Sequence, residues 1–471
     1  MTEVFSMLMF LRVRVGLRIV ASVATVVGPL SAMAQQPPTT SVAFVGVDVI
    51  TMQDTVLRRD QTVVTRDGKI VAMGSRASVS VPRGAQQVDG RGKFLIPGLH
   101  DMHAHLAQGA GDLSDGAGRQ LAVYTALGVT SVRALAAPPG AGALKRRVAT
   151  GEIVAPRLWI TGQSINGKSA PDAASISRNV ASLAAGGADV IKTHGMWNDR
   201  SHYDTLVAAA RRVRLPLAGH VTPEFGLAAA IDAGQQVEHL DGMIAATVPA
   251  GTPVPPGQFV FDNRALAAVD SARIDSLARV MAAKRIYHGP TLALFRVLAD
   301  TLPPEYFLAL PDVLYTPKAA LDAWSLSRRQ QAQQPIPPAI RQRYLAVRDQ
   351  MVRRFQALGV PLLAGSDSPQ FFLVAGFGVH RELQAMVQAG LTPYEALLSA
   401  TRTPAEYLGR GTSAGIVATG RDADLVMLDG NPLRDIANTM RVTGTMLGGR
   451  WLPRAALDST LQQVKQRIDA M

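Results

Sequence analysis

The 471-residue sequence contains no cysteine. Disulfide bonds and thiolate metal ligands are therefore excluded, and any metal ion must be held by histidine, carboxylate or lysine-derived groups. A lipid anchor attached to an N-terminal cysteine is excluded for the same reason. The absence of cysteine is compatible with an oxidising compartment but does not require one.

The N-terminal region also lacks an apolar run long enough to span a membrane. The run from Ile19 to Leu30 is interrupted by a Gly-Pro pair and falls short of the roughly 20 residues that a spanning helix needs. Three arginines precede the run and Ala32-Met33-Ala34 follows it, which is the arrangement of a cleaved secretory signal peptide. We therefore predict a signal peptide over residues 1–34, export to the periplasm or the medium, and no stable membrane anchor after cleavage.

The sequence carries a positive charge excess but no concentrated basic patch. Part of the formal net charge of +12 belongs to the N-terminal region, and the remaining lysines and arginines are scattered. Scattered basic residues indicate a solvated surface rather than a nucleic-acid site. Hydrophobic residues make up 47% of the chain and charged residues 18%, which is enough apolar material for a large core. We expect a globular protein that does not bind nucleic acid.

Two regions of short apolar runs and turns lie towards opposite ends of the chain, at 42–88 and 423–451. Neither region has enough strands for a closed core, so we predict that both pair in one small domain. This β-sandwich would consist of residues 41–97 and 408–455. An amphipathic helix is predicted over residues 456–471.

Between these regions, short apolar strands alternate with Ala- and Leu-rich helical stretches. Such alternation predicts a parallel sheet covered by helices. With a strand at Val360 to Ser366 the count reaches about eight, which favours a closed barrel. The predicted fold class is α/β, with a TIM-type (β/α)8 barrel over residues 98–407. The proline-rich segment 301–341 is predicted as an insertion after strand seven, either as part of the substrate pocket or as a surface elaboration.

Several metal-ligand candidates stand at the ends of strand-like runs. His103 and His105 follow such a run, and alternate side chains of a strand share a face, so both should point into the barrel. Two imidazoles side by side can hold one divalent metal ion. The other candidates in this position are Lys192, His220, His239 and Asp367. Each alone has a structural explanation, such as a helix cap, but their shared placement indicates one site.

These motifs resemble those of the amidohydrolase superfamily, in its branch of imidazolonepropionase-related and prolidase-like enzymes. The resemblance covers nearly the whole chain after the signal peptide. Its elements are Ile96 to His105, Gly128 to Arg133, Asp189 to Lys192, Gly219 to Val221, Val237 to His239, Gly365 to Ser368, Ala389 to Leu397, Thr401 to Ala405 and Gly420 to Val426.

The resemblance implies two divalent metal ions, which we expect to be Zn2+. The ligands of one ion would be His103, His105 and Asp367. Those of the other would be His220 and His239, with Lys192 as the bridge. A free ammonium group cannot ligate a cation, so the resemblance also implies that carbon dioxide carboxylates the lysine to a carbamate.

A hydroxide shared by two cations is nucleophilic near neutral pH. We therefore expect it to attack an amide-type C–N bond in a small substrate, such as a dipeptide or an N-acyl amino acid. Asp367 would accept the proton and deliver it to the leaving amine. The candidate substrate contacts are His194, Tyr203 and His288.

Other functions remain open at this point. A lactonase or esterase would use the same ligands, because the same nucleophile attacks esters. An exported binding protein could keep the barrel without turnover, although such proteins usually lose ligands. A homo-oligomer is compatible with these features.

Overall fold

The computed structural model describes residues 41–255 and 260–471. The predicted signal peptide lies outside the described residues. None of the helices in these two ranges is both long and apolar enough to cross a bilayer.

The described residues contain sixteen strands and sixteen α-helices. The strands are β1 (Ser41–Ile50), β2 (Leu57–Arg66), β3 (Lys69–Ser75), β4 (Gln86–Asp89), β5 (Phe94–Pro97), β6 (Leu99–Ala104), β7 (Val129–Ala134), β8 (Arg157–Ile160), β9 (Ile165–Asn166), β10 (Ile191–Gly195), β11 (Leu217–Gly219), β12 (Gln236–Glu238), β13 (His288–Gly289), β14 (Leu425–Leu428), β15 (Val442–Leu447) and β16 (Arg450–Pro453).

The helices surround these strands and follow most of the central ones. They are α1 (Gly116–Ala126), α2 (Ala141–Ala149), α3 (Ala173–Ala185), α4 (Arg200–Val213), α5 (Gly226–Ala233), α6 (Met243–Thr247), α7 (Asn263–Ala267), α8 (Ser271–Ala283), α9 (Leu292–Ala299), α10 (Pro304–Leu308), α11 (Lys318–Ala332), α12 (Pro338–Ala357), α13 (Phe377–Gln388), α14 (Pro393–Ser399), α15 (Arg402–Tyr407) and α16 (Arg454–Asp469). Two 3-10 helices are Pro311–Tyr315 and Ile436–Met440.

Eight strands from both ends of the chain form one mixed sheet. Its order is β16-β15-β14-β5-β1-β2-β3, and β4 also pairs with β1. The two ends meet where β14 pairs antiparallel with β5, which places Leu425 opposite Pro97. The ring of Phe44 on β1 lies 4.9 Å from that of Trp451 on β16. Neighbouring strands are about 4.8 Å apart, so this contact requires the sheet to curve strongly.

The central part of the chain forms two parallel sheets, β6-β7-β8 and β9-β10-β11-β12-β13. All residues of β6 and β7 are buried, as expected for parallel strands covered on both faces. Gly98 connects β5 to β6, and a Cβ atom there would lie 2.0 Å from the Thr130 hydroxyl oxygen. Only glycine therefore allows β6 to enter the sheet at this point. The predicted α/β class is confirmed.

The predicted strand at 360–366 is not a regular strand. Isolated bridges join Leu362 to His288 and Ser368 to Ala104, so the segment lies between β13 and β6 without a continuous ladder. The reason is that its backbone donors bond elsewhere: the Ala364 N–H bonds to the Ser399 carbonyl at 2.8 Å and the Ser366 N–H to the Asp101 side chain at 2.9 Å. In the described part of the chain, these bridges connect the edge strand β13 of one parallel sheet to the edge strand β6 of the other.

The segment 301–341 follows β13 and α9 and is largely helical. It contacts the loop after Asp367, where the rings of Phe307 and Phe372 stack at 5.0 Å. It also contacts α13, where Asp312 accepts a hydrogen bond from Arg381 at 2.5 Å. Segment 301–341 therefore packs on the side of the parallel sheets where the segment 362–368 ends.

Candidate metal centre

Five imidazole rings converge beyond the carboxyl ends of β6, β10, β11 and β12. The ring centroids of His103 and His105 are 5.6 Å apart, and those of His103 and His239 are 4.8 Å apart. His220 lies 4.7 Å from His239 and 4.4 Å from His194. The carboxyl ends of strands from both parallel sheets therefore contribute to one continuous cluster of residues that are far apart in sequence.

The Asp367 carboxylate contacts three of these rings. Its oxygens lie 2.7 Å from Nε2 of His105, 3.4 Å from Nε2 of His103 and 3.6 Å from Nε2 of His239. Burial would raise the pKa of Asp367, but the charges and hydrogen bond of the histidines hold it well below its usual range. An ionised carboxylate among imidazoles is a suitable donor set for a divalent cation.

Lys192 lies fully buried within this cluster. Its Nζ atom is 3.5 Å from Nε2 of His103. Burial lowers the pKa of Lys192 from its ordinary value, although Glu238 and Asp367 oppose the shift. A lysine that only solubilised a strand end would keep its ammonium group in water, so this position indicates a different role.

Behind the rings, two histidines form a hydrogen bond to an oxygen atom through Nδ1. The pairs are His220 with Asp241 at 2.8 Å and His239 with Thr291 at 2.7 Å. Nδ1 of His103 lies 3.0 Å from Glu238, but the geometry is not that of a hydrogen bond. Partners on Nδ1 fix the ring orientation and leave Nε2 as the ligand atom. This pattern is typical of metal-binding histidines.

The donor atoms fit a metal ion in protonation state as well as in position. Ligand atoms of His103, His105 and Asp367 all lie within 4.8 Å of one another. Burial lowers the pKa of His103 and of His239 well below the ordinary value of an imidazole, which favours the neutral ring that a metal ion requires. Imidazole and carboxylate ligands suit zinc and similar transition metals.

The three predicted substrate contacts occupy different places. His194 is half-buried beside His220, at the edge of the cluster. Tyr203 instead lies on α4, where its ring stacks on Phe225 and its hydroxyl donates to Gln235 at 2.9 Å. Its hydroxyl is thus held by the helix layer, and its position gives no support to a substrate contact.

His288 is also in the interior of the fold. It is fully buried on β13, its Nδ1 lies 3.0 Å from the Val237 carbonyl, and its ring meets Phe355 edge-on. These contacts account for the ring and for Nδ1, whereas Nε2 is buried without a hydrogen-bond partner among the described residues, so the substrate contact of His288 stays a prediction.

Sequence reasoning missed the positions of two buried carboxylates around the cluster. Glu238 accepts a hydrogen bond from Arg133 at 2.7 Å, and both side chains are fully buried. Asp101 is equally buried, and burial raises its pKa to about 6. The sequence did contain a signal for Asp101. It lies two residues before His103 on β6, and the same alternation that pairs His103 with His105 predicts that Asp101 shares their face.

Residues 342–452 match the amidohydrolase family. The imidazolonepropionase of Chromobacterium violaceum is 40% identical over 79 residues, which are 17% of this chain and 19% of that enzyme. The alignment therefore spans about a fifth of the length of the curated relative.

Solved structures resemble the chain over nearly its whole length. A bottromycin amidohydrolase has a TM-score of 0.67 at 23% identity, covering 93% of this chain and 91% of its own. A proposed prolidase from Bifidobacterium longum has a TM-score of 0.67 at 20% identity, with 91% and 100% covered. A Xaa-Pro dipeptidase with bound methionine has a TM-score of 0.62 at 19% identity, with 88% and 100% covered.

At these identities the structural likeness is one of fold. The chain is therefore similar to the amidohydrolase superfamily in sequence over residues 342–452 and in fold over most of its length. The resemblance inferred from the motifs is thereby confirmed.

Proposed function

We propose that the protein is a metal-dependent hydrolase that cleaves an amide-type C–N bond. The observation that carries the proposal is the convergence of six ligand-type side chains at one buried place. They are His103, His105, Lys192, His220, His239 and Asp367. The match of residues 342–452 to the amidohydrolase family supports the same reaction class.

We propose two divalent ions, Zn2+ in the first instance, with the ligand division that the motifs imply. When bound, such ions acidify a water molecule and polarise a carbonyl group. Lys192 would join the two halves of the site after carboxylation by carbon dioxide. Its burial and its 3.5 Å approach to His103 support a role at the centre of the cluster.

Asp367 is proposed as the proton carrier. Its carboxylate is ionised and has a short contact to His105, so it can accept the proton that the nucleophile loses and pass it to the leaving amine. His194 is the better supported candidate for a substrate contact, because its half-buried ring borders the cluster.

The proposed substrates are dipeptides or N-acyl amino acids. Similar folds include a Xaa-Pro dipeptidase and a bottromycin amidohydrolase, which supports amide-type bonds. Export of the mature chain remains part of the proposal, as does a small-molecule substrate without nucleic acid. Hydrolysis of lactones or esters at the same site is the second candidate, since the same buried donors would serve it.

We also propose that the two parallel sheets are parts of one TIM-type barrel and that the eight-stranded sheet is a β-sandwich. The bridges of segment 362–368 to β13 and β6 support closure of the barrel. The contact between Phe44 and Trp451, from strands four places apart, supports a sheet folded on itself.

A substrate panel tests the proposed reaction. The purified chain is incubated with dipeptides, N-acyl amino acids, lactones and simple esters, each before and after metal depletion. We expect metal-dependent release of amines from the first two groups. Turnover of lactones or esters alone would favour the second candidate, and binding without any turnover would indicate the non-catalytic protein.

A further inference from the structure

A buried carboxylate links β6 to the loop that carries Asp367. Asp101 is fully buried. One of its oxygens accepts the backbone N–H of Ser366 at 2.9 Å, and the other accepts the Ser366 hydroxyl at 2.5 Å. Both bonds reach across from the strand that carries His103 to the residue directly before Asp367.

The side chain of Asp101 fills a gap in the backbone hydrogen bonds between these segments. Met102 donates to the Ala364 carbonyl at 2.9 Å, and Asp367 donates to the His103 carbonyl at 2.6 Å. Between these two bonds, the N–H of Ser366 takes the Asp101 side chain as its acceptor. The Asp101 carboxylate thus takes the place of a backbone carbonyl as the acceptor, at the point where the hydrogen bonds between β6 and this segment are irregular.

The conformation of Asp367 explains why such support is needed. Its φ of 56° places a non-glycine residue in the left-handed region, which is unfavourable and persists only where the surroundings hold it. Ser366 and Ser368 flank it, with their hydroxyl oxygens 2.7 Å apart, and the Ser368 carbonyl accepts the His105 N–H at 2.8 Å. The Asp101 bonds anchor this strained turn from one side.

We propose that Asp101 is a positioning residue, which holds the turn around Asp367 so that its carboxylate faces His103, His105 and His239. The inference rests on the proposed metal-dependent hydrolase. Without Asp101, two buried donors of Ser366 lose their acceptor, and a buried unpaired donor is unfavourable. The turn then relaxes and Asp367 is no longer held against the histidines.

A double-mutant cycle with cobalt(II) chloride as the probe tests this role. The full chain is depleted of metal and titrated with Co2+, whose visible absorption reports the ligands. Asp101→Ala is expected to weaken binding by roughly 10- to 100-fold, and Asp367→Ala, which removes a proposed ligand, is expected to weaken it at least as much. Because Asp101 acts through Asp367, the double variant should bind no more weakly than Asp367→Ala alone, and the Asp101→Ala spectrum should resemble that of Asp367→Ala.

Further variants keep the test decisive if Asp101→Ala does not fold. Asp101→Asn can still accept the Ser366 N–H and donate to its hydroxyl, so Co2+ affinity and spectrum should stay close to wild type. Ser366→Ala removes only the hydroxyl and should weaken binding in the wild-type background but not in Asp367→Ala. Thr445→Val is the matched control, because its buried hydroxyl bonds to the Thr125 carbonyl in another part of the fold; it should bind as wild type.

The outcomes separate this inference from the function on which it rests. A wild-type chain that binds no cobalt would overturn the proposed function and the inference together. If the wild type binds cobalt but the losses of Asp101→Ala or Ser366→Ala add fully to that of Asp367→Ala, the inference alone is wrong. Unchanged Co2+ binding in both Asp101→Ala and Ser366→Ala would also show that the inference is wrong.

Discussion

The eight-stranded sheet and the edge where the parallel strands end bury very different side chains. The core of the sheet is apolar and includes Phe44, Val63 and Trp451. At the parallel strand ends, by contrast, Lys192, Arg133 and Glu238 are fully buried. Burying charge is costly unless every group is paired, so an apolar core is the simpler solution for stability. The polar region is therefore best explained by chemistry, and the sheet by folding.

This contrast predicts that substitutions in the polar region abolish activity, whereas those in the sheet reduce stability. The largest effect is expected for Lys192→Ala, which removes the proposed bridge. Activity should fall by more than about 100-fold, since even the partner of a ligand is worth roughly 10- to 100-fold. Short carboxylic acids added with zinc should restore part of the rate, because they can occupy the space of a carbamate.

Lys284→Ala is the matched control for that change. Lys284 pairs with Asp232 on the surface, with about half of its side chain exposed, and its loss should leave the rate unchanged and cost at most about 1 kcal/mol. Wild-type activity and full metal content in Lys192→Ala would show that Lys192 is not a ligand.

In the sheet, Phe44→Ala should lower the free energy of unfolding by about 3–5 kcal/mol. Phe44 is fully buried and contacts Trp451 edge-on, so truncation leaves a cavity between distant strands. Denaturant unfolding measures the loss, and the metal content of the folded fraction should not change. Val71→Ala, at an exposed position of β3, should change stability by no more than about 0.5 kcal/mol. Loss of metal from folded Phe44→Ala would mean that the two regions are not separable.

A smaller effect is expected for Asp241→Ala. Asp241 lies 2.8 Å from Nδ1 of His220, and removing such a partner typically costs about 10- to 100-fold in metal affinity. Competition with a chelator measures it, with Asp232→Ala on the surface as the control. Affinity equal to that of the control would contradict the role of His220 as a ligand oriented from behind.

The smallest effect is expected for Tyr203→Phe. The change removes the hydroxyl that donates to Gln235 and leaves a buried acceptor without this donor, which costs about 1–3 kcal/mol of stability. kcat and KM should both stay at wild-type values, because the tyrosine lies in the helix layer. A raised KM with unchanged stability would restore Tyr203 as a substrate contact.

The sequence was sufficient for features that depend on local pattern. Alternation along β6 predicts that His103 and His105 share a face, and strand ends predict that Lys192, His220 and His239 lie at one edge. Contacts between distant segments could not be predicted in this way. The bond between Asp101 and Ser366 joins residues 265 positions apart. It also depends on the irregular segment 360–366, which strand periodicity predicts wrongly as a regular strand.

The candidate substrate residues show the same limit. Tyr203 and His288 are close in sequence to ligand positions or strand ends, but periodicity does not reveal which neighbour satisfies a hydroxyl or an imidazole. Gln235 and the Val237 carbonyl do so here, and both partners come from β12 or the residue before it. Pairing of this kind becomes visible only when the strands are assembled.

The metal content of the active chain tests the proposed function most directly. We expect close to two divalent ions per chain by elemental analysis, loss of amide hydrolysis on chelation, and recovery on addition of zinc with bicarbonate. Recovery should be faster with bicarbonate than without it, because the proposed carbamate on Lys192 would form from carbon dioxide. An active chain that holds no more than one tightly bound ion would contradict the two-ion site, and full activity after complete metal removal would contradict the proposed mechanism as a whole.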